Sequence, residues 1–259
     1  MHRIRVIPSL LMENGGLVKT VQFGKRTYLG DPINIIRIFN DKEVDEVALL
    51  DISATPEKRG PDYAAIEKIA SQCFMPLAYG GGITRIEEIR TLFKLGVEKA
   101  VLNTAAIATP ELITEAANAF GAQAIAISID VKKSWTGKYD VVTRCGKQSA
   151  SRSPVEWAKE AVRLGAGEIL LNSIDRDGTM KGYDLALIKS VTSAVNVPVI
   201  ACGGANTLDD FRDAVREGRA AAVAAGSMFV FHGKHRAVLI NYPTQASLKQ
   251  TFAAGAHAS

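Results

Sequence analysis

Short apolar runs recur along the chain, each followed by a longer stretch in which apolar residues return every three or four positions. The runs are residues 4–10, 46–51, 76–79, 100–103, 124–130, 168–172, 198–201 and 221–225. They are rich in Val, Ile, Leu and Ala without strict alternation, the pattern of parallel strands covered on both faces. The intervening stretches predict helices, among them 85–95 and 154–164. Thr84 is placed to cap the first, with Glu87 three residues on. Ser153-Pro154-Val155-Glu156 opens the second with an N-cap, a proline and an early acid, and Thr207-Leu208-Asp209-Asp210 is a similar start. Gly96 and Gly165 are placed to end helices. Eight strands alternating with helices predict a single (β/α)8 TIM barrel over residues 1–259.

The pattern is doubled. Val6-Ile7-Pro8-Ser9-Leu10-Leu11 aligns with Ile125-Ala126-Ile127-Ser128-Ile129-Asp130. Glu46-Val47-Ala48-Leu49-Leu50-Asp51 aligns with Glu168-Ile169-Leu170-Leu171-Asn172-Ser173, and Pro76 to Gly82 with Pro198 to Gly204. The repeat predicts two half-barrels, about 1–120 and 121–240, followed by a C-terminal tail, 241–259. Long connections are expected after strand 1 (12–30) and strand 5 (132–139 and 144–151), and long connections in a compact domain are usually functional.

Composition narrows the function classes. A chain of 259 residues with 47% hydrophobic content can bury a large core. A net charge of +4 without a basic run argues against nucleic-acid binding. No apolar stretch is long enough to span a membrane, the start has no signal-peptide pattern, and a cytoplasmic location is expected. Cys73, Cys145 and Cys202 fit neither a disulfide framework nor a metal site and read as buried thiols. His2, His232, His235 and His257 lack ligand spacing for zinc, and no metal or cofactor is expected.

In such a barrel chemistry sits at the carboxyl ends of the strands. Gly81 and Gly82 follow strand 3, and Asn103 and Thr104 follow strand 4. Gly203 and Gly204 follow strand 7, and Gly226 and Ser227 follow strand 8. Glycines of this kind either make tight turns or let an anion approach backbone N–H groups. The occurrence of two symmetry-related sets favours two phosphate sites and a phosphorylated small-molecule ligand. Asp130 closes strand 5 as a candidate general acid or base, with a structural salt bridge the competing reading. Lys19 in the first connection could reach an anion. Asp51 ends strand 2, and Asp175-Arg176-Asp177-Gly178 follows strand 6. Trp135 and Tyr139 could cover a ligand or simply form an exposed hairpin. At the opposite end, Arg5, Glu46, Lys99 and Glu168 stand at the starts of strands 1, 2, 4 and 6. They form either a neutral ring of alternating charge or ordinary solvated charges.

These residues resemble the cyclase subunit of imidazole glycerol phosphate synthase, from histidine biosynthesis. The resemblance runs from Arg5 to about Phe231. It is carried by Val6-Ile7-Pro8, Gly15 to Lys19, Gly30-Asp31-Pro32, Leu50-Asp51-Ile52, Gly80 to Ile83, Asn103-Thr104, Ile129-Asp130, Asp175 to Thr179 and Gly203-Gly204-Ala205. It implies a (β/α)8 barrel in a heterodimer with a glutaminase subunit of the HisH type. Ammonia would enter at the amino-terminal face and react at the other with a bisphosphorylated ribulosyl formimino carboxamide nucleotide. The products would be imidazole glycerol phosphate and an aminoimidazole carboxamide ribotide. By resemblance, Gly81, Gly82, Asn103 and Thr104 form one phosphate site. Asp177, Gly178, Gly203, Gly204 and Ser227 form the other, with Gly226 in a one-residue insertion. Lys19 contacts substrate, Asp130 is a catalytic aspartate, and Arg5, Glu46, Lys99 and Glu168 ring the ammonia entrance. Glu98 lies on the same face.

One position departs from the pattern: the family's second catalytic aspartate falls on Leu11, which cannot move a proton. The stretch Leu10 to Gly16 and the ending from Phe229 through Asn241-Tyr242-Pro243 differ too. In these respects the chain is similar to a branch associated with sugar amidation in surface-polysaccharide (O-antigen type) clusters. There the barrel and its glutaminase supply ammonia to a separate sugar amidotransferase. Two expectations follow, an ammonia-delivering subunit with weakened chemistry and a working cyclase that tolerates Leu11. The first is favoured by Leu11, and the second by Lys19, Asp130 and both phosphate motifs.

Overall fold

The computed structural model describes residues 3–233 and 235–253. Eight parallel strands carry the fold: β1 (Arg5–Glu13), β2 (Val47–Asp51), β3 (Leu77–Gly80), β4 (Lys99–Leu102), β5 (Ile125–Lys133), β6 (Glu168–Ser173), β7 (Val199–Cys202) and β8 (Ala222–Ala225). Each pairs with the next, and β1 also pairs with β8, closing a barrel. Around it run α1 (Pro32–Asp41), α2 (Tyr63–Ala70), α3 (Ile86–Lys94), α4 (Glu111–Phe120), α5 (Pro154–Arg163), α6 (Leu185–Thr192), α7 (Leu208–Arg216) and α8 (Gln245–Ala253). The TIM barrel expected from the alternating pattern is the fold observed.

Side chains of a strand alternate between the two faces, so every second residue looks into the barrel. Val6, Leu10, Val47, Leu49, Tyr79, Ile127 and Ile129 pack outward beneath the helices. Ile7, Ala48, Ala78, Val101, Ala126, Leu170, Ile200, Ala222 and Ala224 form a separate inner cluster. Five of these nine are alanine, so the side chains reach only a short way toward the axis. The same parity sends Arg5, Ser9 and Leu11 inward on β1, and Ser128 and Asp130 inward on β5. Leu11 lies six positions beyond Arg5, which is roughly 20 Å along a strand at about 3.3 Å per residue.

The repeat read in the sequence is also a repeat of register. Leu11 lies opposite Leu50 in the β1–β2 pairing, and their mates Asp130 and Asn172 lie opposite each other between β5 and β6. Gly81 and Gly82 have φ of +123° and +72°, and their mates Gly203 and Gly204 have +90° and +114°. A Cβ on Gly81 would lie 2.4 Å from the Asp51 carbonyl oxygen, and one on Gly204 2.2 Å from that of Gly182. Close packing of neighbouring loops therefore requires glycine here, with or without an anion.

Several local expectations are corrected. The N-cap of α3 is Arg85 rather than Thr84, and its acid is Glu88, not Glu87; the Glu88 carboxylate accepts from the Thr84 and Arg85 backbone N–H groups at 2.6 and 3.1 Å. Ser153 and Thr207 cap α5 and α7 as expected. The first connection is a hairpin rather than a loop: β1 continues to Glu13 and pairs with Gly16–Thr20, which pairs with Arg26–Gly30. The fifth is likewise a hairpin, β5 pairing with Tyr139–Thr143. The three free cysteines are half-buried rather than buried. The segment read as a tail is folded as far as 253. Tyr242 is buried, donates to the Val6 carbonyl at 2.9 Å and packs on Phe229. His232 and His235 are exposed, and His2 and His257 lie outside the described residues. Among the described residues no helix is long and apolar enough to cross a membrane.

Candidate functional site

A cavity of about 660 Å³ opens at the carboxyl ends of the strands. Its lining includes Leu11, Lys19, Asp51, Gly81, Gly82, Asn103, Thr104, Asp130, Asn172 and Asp177. The strand ends singled out in the sequence thus converge on one mouth. Gly178, Gly203, Gly204, Gly226 and Ser227 line a small adjoining pocket that shares Ser9, Lys19, Asp177 and Cys202 with the large cavity.

Asp130 is held by two amides. Asn172 Nδ2 donates to Oδ1 at 3.1 Å, and Asn103 Nδ2 donates to Oδ2 at 3.1 Å and to the Ser128 carbonyl at 3.0 Å. Burial raises the Asp130 pKa to about 6, against the two amide hydrogen bonds and with the charge of Asp177 adding to the rise. A carboxyl of that pKa exchanges its proton near neutrality, as general acid–base work requires. The opposite side of the floor is apolar, because Leu11 and Leu50 stand where Asp130 and Asn172 stand in the other half. The missing carboxylate at position 11 is thus an apolar wall, with Leu11 itself 8% exposed.

The other charged candidates are committed to partners. Lys19 lies on a hairpin strand, is buried, and its ammonium contacts Asp177 at 2.8 Å. Its stem passes over Gly226, where a Cβ would lie 2.9 Å from Lys19 Cε. The Asp51 carboxylate accepts from Ser53 N–H and Oγ, from Ala54 N–H and from Arg59, whose Nη1 lies 2.9 Å from Oδ2. It braces the loop after β2 and aims Arg59 at the cavity. The Thr104 hydroxyl donates to Asn103 Oδ1 at 3.2 Å, which orients the amide that holds Asp130. Thr104 and Ser227 each open a helix of a single turn, Thr104–Ala108 and Ser227–Val230. The Asp175 carboxylate accepts from the Lys133 N–H. Trp135, 98% exposed, and Tyr139, bonded to Asp184, are absent from the cavity lining.

At the other end of the barrel, the four predicted charges form a closed ring. Arg5 Nη1 pairs with Glu46 at 2.5 Å and Nη2 with Glu168; Lys99 pairs with both acids at 2.9 Å. Every cation touches two anions and every anion two cations. Glu46 and Glu168 are buried, while the Lys99 side chain is 19% exposed. Sequence reasoning missed Asn172 and Arg59. The signal for Asn172 was present, since the repeat sets it against Leu50 as it sets Asp130 against Leu11.

A twofold (β/α)8 barrel with a carboxylate-bearing mouth and a charge-ringed base defines the class, and comparison with known proteins gives the family. The family model described as Histidine biosynthesis protein matches residues 5–236. A Pseudomonas aeruginosa protein provisionally named imidazole glycerol phosphate synthase subunit hisF2 is 53% identical, over 94% of this chain and 97% of its own. A Leptospira interrogans protein provisionally named subunit HisF of that synthase is 46% identical, over 97% of this chain and all of its own. Subunit HisF of imidazole glycerol phosphate synthase from Alkaliphilus metalliredigens is 43% identical over 88% of this chain and 90% of its own. The chain belongs to the histidine biosynthesis protein family, among the HisF subunits of imidazole glycerol phosphate synthase.

Proposed function

We propose that this chain takes ammonia from a glutaminase subunit at its amino-terminal face and delivers it through the barrel to the mouth. There it serves amidation of a sugar by a separate amidotransferase. The observation that carries this reading is Leu11, buried beside Leu50 on the apolar side of the floor. Proton transfer by a positioned side chain contributes about a hundred- to ten-thousandfold in rate, and leucine supplies none. The neutral ring and the alanine-rich bore support conduction, since a small uncharged molecule gains most from a short, weakly polar path. In a complex reconstituted with the glutaminase, Lys99→Glu is expected to let glutamine hydrolysis continue while glutamine-dependent amidation falls. Unchanged coupling would remove the entrance assignment.

A second reading is a working cyclase. It is favoured by Asp130, held by two amides with a pKa of about 6, and by a 660 Å³ cavity in the usual range for small-molecule sites. Gly81, Gly82, Asn103 and Thr104 would then seat one phosphate. Asp177, Gly178, Gly203, Gly204, Gly226 and Ser227 would seat the other. Conversion of the bisphosphorylated nucleotide with ammonium alone separates the two readings.

A further inference from the structure

The hairpin after β5 holds an exposed tryptophan at the mouth of the barrel. β5 runs three residues past Asp130 to Lys133, roughly 10 Å at about 3.3 Å per residue, and the chain returns as Tyr139–Thr143. Trp135 sits in the turn between them, 98% exposed, while Arg144 and Cys145 at the far end of the hairpin line the cavity. The turn is closed: Ser134 N–H donates to the Lys138 carbonyl at 2.8 Å, and Lys138 N–H donates to Ser134 Oγ at 3.1 Å. Both strands are fastened to the connection after β6. Lys133 N–H donates to the Asp175 carboxylate at 2.7 Å, and the Tyr139 hydroxyl donates to Asp184 at 2.9 Å. The Lys133 ammonium lies 5.1 Å over the Tyr139 ring. Gly146 packs against the hairpin after β1, where a Cβ would lie 3.1 Å from the Phe23 ring. Residues 131–152 also carry six basic side chains and one acid, a net +5 in a chain whose net charge is +4. The six, Lys132, Lys133, Lys138, Arg144, Lys147 and Arg152, are all exposed, and Asp140 is half-buried. None of the six makes an ion pair among the described residues.

We propose that this hairpin is the docking arm for the amidotransferase that receives the ammonia, a protein with an apolar slot for the Trp135 ring set in an acidic rim. The proposal rests on the ammonia-delivery reading and adds the surface by which the recipient covers the mouth. A tryptophan buries about 150–250 Å² on docking, and tryptophan is enriched among the residues that dominate interfaces. A turn tied down through both strands presents the ring with little conformational freedom left to lose. The lysines and arginines around it act as rim charges, which attract an acidic partner and set its orientation. Ammonia leaving the mouth escapes to solvent unless the recipient covers the opening. An arm continuous with the cavity wall through Arg144 and Cys145 holds the recipient there. A folded protein can close over the mouth while taking a single ring into a slot, which a lipid surface or a nucleic-acid strand does not do.

The test reconstitutes the full chain with its glutaminase and titrates the complex with a sugar amidotransferase of the same organism. Parallel titrations use phosphatidylcholine vesicles containing phosphatidylglycerol, and a single-stranded oligonucleotide. The variants are Trp135→Ser, Trp135→Phe and the double change Lys132→Glu with Lys138→Glu, which leaves Lys133 on Tyr139; thermal melts confirm that each is folded. The chain's other tryptophan, Trp157, is buried, so the wild-type emission minus that of Trp135→Ser reports on Trp135. That difference should shift to the blue as the amidotransferase binds. Trp135→Ser should weaken binding about thirtyfold, as for truncating a central aromatic anchor, and Trp135→Phe should recover most of the loss. The charge-reversed variant should slow association about tenfold and reduce its dependence on salt. In every variant, glutamine hydrolysis and amidation from free ammonium should stay at the wild-type rate while glutamine-dependent amidation falls. Undiminished binding by Trp135→Ser and by the charge-reversed variant would overturn the docking arm and leave ammonia delivery standing. A Trp135 shift with vesicles or oligonucleotide but none with the amidotransferase would overturn it as well. No glutamine-dependent amidation by the wild-type complex would overturn both.

Discussion

Replacing Asp130 with asparagine isolates the cost of holding a carboxylate on the barrel floor. Burial lifts its pKa from the ordinary carboxylate range to about 6, although Asn172 and Asn103 both donate to it. The folded-state pKa lies above the unfolded one, so the native state binds this proton more tightly than the denatured chain. Stability from the group is therefore complete below about pH 4 and is lost as pH rises through about 6. A shift of about two units corresponds to about 3 kcal/mol at full ionisation. Between about pH 5 and about pH 7.5 the wild type should lose about 1.4 kcal/mol relative to Asp130→Asn. Asparagine forfeits one of the two amide contacts, but that cost does not vary with pH. Other titrating groups are common to both proteins and cancel in the difference. Urea unfolding at the two pH values, read by midpoint and slope, measures it. A difference that is flat with pH, or that moves in the wild type's favour as pH rises, would refute the burial argument.

The other predictions concern the ring and the loop packing. Lys99→Met leaves Glu46 and Glu168 with Arg5 alone and should cost about 3 kcal/mol in urea unfolding; a loss under about 0.5 kcal/mol would mean the ring is effectively solvated. Gly81→Ala puts a Cβ 2.4 Å from the Asp51 carbonyl at φ +123° and should cost more than about 2 kcal/mol. An unchanged thermal midpoint would show that the loop after β2 yields easily.

The strands, their order and the twofold repeat were legible because they depend on local apolar patterning, and Leu11 opposite Leu50 restates the alignment in register. The ring was legible because strand starts fix which residues share a layer. Pairings across the fold were not. Lys19 and Asp177 are separated by 158 positions, and only the closed barrel shows that they cancel. Arg236 sits in a turn with no periodicity to mark it, and the bond from its guanidinium to Ser227 is purely spatial. The α3 cap was misplaced by one residue because Glu87 and Glu88 are both acids in its first turn, and sequence alone does not rank them.

Leu11 carries the central claim, and one measurement addresses it directly: cyclase turnover of the bisphosphorylated nucleotide by the purified chain in excess ammonium, compared with Leu11→Asp. Ammonium bypasses the glutaminase, and matched thermal melts confirm that both proteins are folded. The account predicts that the wild type turns over at least about a hundredfold more slowly than Leu11→Asp, the lower bound for a lost acid–base group. Equal turnover by the two proteins would contradict it and establish the chain as a cyclase that works from Asp130 alone.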